Sequence, residues 1–93
     1  VFRRHFGDDR VQAAAPVMAG EDFGEYARTA GTPIQSLIFW VGGRKPEDLA
    51  AARREGRVLP SLHSPFFAPE ADAVISAATE AMTVAVRELL KKR

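Results

Sequence analysis

The stretch SLIFWVGG, residues 36–43, decides the fold that the sequence predicts. Its apolar run is unbroken rather than alternating, which is typical of a strand covered on both faces in a parallel α/β sheet. The two glycines end the run at the carboxyl edge of such a sheet, where α/β proteins usually place their sites. We therefore expect an α/β fold with one buried strand, flanking helices and a long closing helix.

A strand covered on both faces needs neighbours, and the sequence offers only weak candidates around Val11 and Val58. An unpaired apolar strand edge is prone to aggregation. We therefore expect the partner strands to belong to sequence outside this chain, which begins at Val1 without a methionine.

Four helices are expected around the strand. The first is a helix tail over Val1–Arg10, with Gly7 as its C-cap, and the second runs from Phe23 to about Ala30. Lys45–Gly56 has proline at its first position, two acids in its first turn and glycine at its end. The longest, from about Pro69 to Lys92, carries an apolar stripe that we expect to cover one face of the sheet.

Composition limits the classes of function. The chain has 93 residues, a net charge of +1 and no cysteine, so it holds one domain at most and excludes disulfide or thiolate sites. Its basic residues are scattered among acids except at the C-terminal end, and no apolar run is long enough to cross a bilayer. We expect no nucleic-acid partner, no membrane partner and a cytoplasmic location.

The segment PSLHSPFFAP, residues 60–69, presents a histidine between three prolines and in front of two phenylalanines. Proline fixes φ, so we expect this segment to be stiff and extended. A rigidly held imidazole suits a metal ligand or a general base, but an ordinary turn histidine has the same surroundings. The residues alone leave both interpretations of His63 open.

Gly20, Glu21 and Asp22 precede the second helix and also allow two interpretations. As structural residues, the acids stabilise the positive end of a short helix by about 1 kcal/mol together. As functional residues, the glycine lets the backbone approach a ligand while the acids fix the loop.

Three features in this order resemble one known family. They are PVMAGEDF at residues 16–23, the run FWVGG at residues 39–43, and LHSPFF at residues 62–67 before an amphipathic helix. The order resembles the C-terminus of the metal-dependent amidohydrolases of the aminoacylase and carboxypeptidase G family, in the branch of hippurate and auxin-conjugate hydrolases. The resemblance covers about Val1 to Leu90.

The resemblance implies that residues 1–93 are the C-terminal segment of a zinc-peptidase-like catalytic domain, without the family's N-terminal part or its inserted dimerisation domain. His63 would be a metal ligand, the last in chain order. Gly20, Glu21 and Asp22 would border the substrate pocket. No catalytic residue would lie in this chain, because in the family the general base and the other ligands come earlier in the sequence. The Lys45–Gly56 helix departs from the shorter loop of many relatives.

The implied chemistry is amide hydrolysis by a water shared between two divalent metal ions, zinc or else manganese, cobalt or nickel. Substrates would be N-acyl amino acids or related small amides, and the parent would be a homo-oligomer. We expect these 93 residues alone to be inactive. The competing interpretation is a non-enzymatic interaction module that pairs through an exposed strand edge.

Overall fold

The structure, a computed structural model, describes residues 1–18, 22–28, 31 and 34–91. Within these ranges all regular secondary structure is helical, with a short 3-10 turn at Asp8–Arg10 after the first helix. The helices are α1 (Phe2–Phe6), α2 (Phe23–Arg28), α3 (Pro46–Glu55) and α4 (Ala71–Leu89).

The predicted α/β fold is wrong, since no strand occurs in the described ranges. Residues 36–43 have no regular secondary structure. A strand exists only through hydrogen bonds to a neighbouring strand, and no described backbone group pairs with residues 35–42. The weak candidates near Val11 and Val58 are not strands either. A buried strand is excluded too, because Leu37 is 64% exposed and Trp40 50% exposed.

Helix α3 confirms the prediction for residues 45–56. Pro46 occupies its first turn, where a missing N–H costs nothing. Gly56 ends it with φ of 66°, a left-handed conformation that glycine adopts without a Cβ clash. The amide of Arg57 then donates to the carbonyl of Ala52 at 2.9 Å and closes the helix end.

Helix α4 is present but begins later than predicted, at Ala71 rather than Pro69. Glu70 is extended, and its amide donates to the carbonyl of Gly43 at 3.0 Å instead of continuing a helix. The apolar stripe covers no sheet. Ile75, Met82 and Leu89 remain mostly exposed.

Helix α1 confirms the predicted helix near the start of the chain and ends at Gly7. The Phe2 ring meets the Phe39 ring edge-on with centroids 4.9 Å apart, which attaches α1 to the apolar stretch. Ion pairs attach α1 to α4.

The core is thin. Ala52 and Ala81 are the only buried hydrophobic residues in the described part of the chain. The radius of gyration is 16.4 Å, against about 12 Å for a compact domain of this length. The chain is therefore elongated, and most of its large apolar side chains meet solvent.

Candidate functional site

The His63 loop, residues 60–70, is built from two consecutive turns. The amide of Ser64 donates to the carbonyl of Ser61, and the amide of Phe67 donates to the carbonyl of Ser64, both at 3.1 Å. The Ser64 hydroxyl also accepts from the amide of Phe66 at 3.2 Å. The expected extended conformation is thus wrong. The prolines leave room for turns between them, and Ser64 supplies the hydrogen bonds.

His63 stands at the corner of the first turn with φ of 69°. It is the only non-glycine residue with positive φ in the described ranges. Such residues are uncommon, and strain of this kind collects at functional sites. The turn hydrogen bonds on its C-terminal side hold the backbone in this conformation.

Residues 43–45 anchor both ends of the His63 loop. Nη2 of Arg44 donates to the carbonyl of Pro60 at 3.0 Å, and its guanidinium carbon lies 5.5 Å from the centroid of the Phe67 ring. Gly43 accepts the Glu70 amide, and Lys45 Nζ lies 3.5 Å from Glu70 Oε1. The loop is therefore fixed to the segment before α3 by four contacts of different kinds.

The His63 imidazole is exposed and makes no hydrogen bond or ion pair with a described residue. An unprotonated imidazole nitrogen is a common ligand of zinc and related divalent ions. However, the described ranges contain no group of three or more histidine, aspartate or glutamate side chains placed to hold a metal. These residues offer one candidate ligand and do not form a metal site, so no metal-dependent step is assigned to them.

The other predicted site residues lie apart from this loop or outside the described residues. Gly20 and Glu21 fall outside them. Asp22 is exposed just before α2, and its carbonyl accepts the Glu25 amide at 3.0 Å. No hydrogen bond or ion pair links Asp22 to the His63 loop, so its assignment to a substrate pocket stays a prediction.

An ionic cluster joins α1 to α4. Nε2 of His5 lies 2.7 Å from Oε1 of Glu80, and Nη2 of Arg4 lies 2.9 Å from Oε1 of Glu88. Hydrogen bonds from Lys91 and then Arg4 lower the pKa of Glu88 to about 2. The pairs are largely exposed, so their contribution to stability is small. The cluster attaches a helix and contains no residue of the His63 loop.

Arg44 is the residue that the sequence did not single out. It lies one residue after the Gly-Gly pair and 16 residues from the carbonyl it contacts. A lone arginine before a surface helix carries no local signal for such a contact. The one indication is that Arg44 follows two glycines, because glycines let the backbone approach another segment closely.

Comparison with known proteins gives no match: no family model, no curated protein and no solved structure matches this chain. Among the described helices, none is both long and apolar enough to cross a membrane.

Proposed function

We propose that this chain is part of a metal-dependent amidohydrolase that cleaves N-acyl amino acids or related small amides, and that His63 supplies one metal ligand. The observation that carries the proposal is the geometry of His63. Its imidazole is exposed and without a partner among the described residues, on a loop held by turns and by Arg44. The order of the three motifs at residues 16–23, 39–43 and 62–67 supports the same family.

The proposal requires the remaining ligands and the general base to come from other parts of a longer protein. Exposed surface supports this requirement. The chain of 10.2 kDa exposes 8358 Å², whereas a compact protein of that mass exposes about 5,300 Å². The excess of roughly 3,000 Å² on this one chain is larger than the roughly 1,000–2,500 Å² that one partner contributes to a large permanent interface.

The test uses the longer protein that the proposal requires. Metal content and hydrolysis of N-acyl amino acids are measured for wild type, His63→Ala and His5→Ala, the second histidine of the chain serving as the matched control. We expect His63→Ala to lose one metal equivalent and more than about 100-fold in turnover, since even residues that only support a ligand contribute 10- to 100-fold. Unchanged metal content in His63→Ala with an intact fold would contradict the proposal.

A second candidate function rests on the apolar segment, residues 34–43. Ten consecutive residues carry no charge, and Ile34, Leu37, Ile38 and Trp40 are about half exposed or more. A contiguous stretch of exposed apolar side chains is typical of an interaction site. On this account the chain is an interaction module that binds a second copy, since an uncharged surface meets its own copy without repulsion.

Sedimentation of the purified chain over a range of concentrations tests the second candidate. A dimer of defined mass supports an interaction module. A monomer at all concentrations contradicts it.

A further inference from the structure

We propose that Arg44 is a positioning residue that fixes the backbone at His63 by contacts on both sides of it in the His63 loop. The inference rests on the proposed function, because a fixed position matters only if His63 binds something. It concerns a residue outside the three motifs.

The two residues that Arg44 contacts lie on either side of His63 in the sequence. Pro60, whose carbonyl accepts from Arg44 Nη2 at 3.0 Å, lies three residues before His63. Phe67, whose ring centroid lies 5.5 Å from the guanidinium carbon of Arg44, is four residues after His63. One planar side chain therefore fixes the spacing between the two ends, and the two turns between them determine the conformation at His63.

Arginine suits this task better than lysine. Its guanidinium donates to the Pro60 carbonyl and at the same time places its charge over the Phe67 ring, so one group makes both contacts at once. A lysine ammonium is a compact charge without the arginine fork of donors, so it is less suited to make both contacts. The adjacent Gly43 supports the arrangement, because a Cβ there would lie only 3.4 Å from the Phe67 ring and from Pro69.

Holding Arg44 in place has a cost. Its Nε is buried and has no hydrogen-bond partner among the described residues. A buried donor without an acceptor is unfavourable, so the residue contributes less to global stability than its contacts suggest. Replacing Arg44 removes the unpaired buried donor together with the contacts to Pro60 and Phe67. The loop is then expected to loosen while the stability of the whole chain changes little.

The test begins with the chain itself, by NMR, on wild type, Arg44→Met and Arg44→Lys. Arg53→Met is the matched control, because Arg53 is exposed on α3 and touches none of the loop. We expect amide exchange of Ser64 and Phe67 to accelerate roughly fivefold in Arg44→Met, the effect of losing one hydrogen bond of ordinary strength. The Arg57 amide at the end of α3 should keep its wild-type rate. Arg44→Lys should restore part of the protection, and Arg53→Met should change nothing.

Unchanged exchange of Ser64 and Phe67 in Arg44→Met would overturn the proposal. So would equal acceleration at Arg57, which would show general destabilisation rather than positioning. In the longer protein, Arg44→Met should weaken metal binding about 10-fold or more. If His63→Ala retains its metal, the proposed function fails independently of the exchange result, so the two failures are distinguishable.

Discussion

The His63 loop and the apolar segment meet at Gly43 but differ in what holds them. The loop is fixed by two turns and by contacts from residues 43–45. The apolar segment, which ends at Gly43, has no backbone partner from residue 35 to residue 42 among the described residues. Contacts among the described residues are therefore enough to fix the loop but not the apolar segment. The proposed function requires both features, an ordered His63 loop and a segment that other parts of a longer protein would cover.

The largest expected effect comes from changing the apolar segment. In the double variant Leu37→Ser with Trp40→Ser, self-association of the purified chain should weaken by about 100-fold or more, because burying each side chain is worth roughly 1.5–3 kcal/mol. Sedimentation measures the association. Val58→Ser is the control, since Val58 is 96% exposed and lies outside the segment. Equal weakening by Val58→Ser would show that association is not specific to the segment.

Two adjacent glycines test the boundary between the regions. At Gly43 a Cβ would lie 3.4 Å from Phe67 and Pro69, whereas at Gly42 nothing lies within 4 Å. We expect Gly43→Val to destabilise the chain by about 1–3 kcal/mol through overpacking, and Gly42→Val to have little effect. Urea denaturation of the two variants measures the difference. Equal free energies of unfolding would contradict close packing at Gly43.

Ser64 tests the turn inside the loop. Ser64→Ala removes the hydroxyl that accepts the Phe66 amide and should cost about 1 kcal/mol. Ser61→Ala is the matched control, because the Ser61 hydroxyl contacts only the adjacent Leu62 carbonyl at 3.5 Å. Amide exchange at Phe66 provides the measurement. Faster exchange in both variants alike would show that Ser64 has no special part in the turn.

The smallest effect is a pH dependence far from the loop. The pKa of Glu88 is lowered from 4.5 to about 2. The stabilisation from its ion pairs is therefore fully present above pH 4.5 and is lost as the pH falls through about 2. An NMR titration of the Glu88 carboxyl carbon should give a midpoint well below 4.5. Arg4→Met should raise that midpoint, whereas Arg3→Met should not, because Arg3 pairs with Asp8 instead. A midpoint near 4.5 in wild type would show that the ion pairs of Glu88 do not form in solution.

The helices were predictable because their signals are local. The proline at the start of α3, the glycine at its end and the apolar periodicity of α4 each act within a few residues. The start of α4 was missed because Glu70 has an extended backbone, and its amide contacts Gly43, which is distant along the chain.

The absence of a strand at residues 36–43 was not predictable in the same way. Apolar, β-branched and aromatic residues favour a strand only where neighbouring strands exist, and the described residues provide none. For the site, the sequence singled out His63 but not its positive φ or its anchoring by Arg44. The anchoring depends on a contact between residues 16 positions apart, and the positive φ depends on a turn within the loop that its prolines do not predict.

Backbone amide exchange across the whole chain tests the central claim most directly, at a concentration where sedimentation shows a monomer. The account predicts that the amides of Ser64, Phe67 and Glu70 are protected, since each donates to a backbone carbonyl. It predicts rates close to those of an unstructured peptide for residues 35–42. Protection across residues 35–42 in the monomer, together with rapid exchange in the His63 loop, would contradict it.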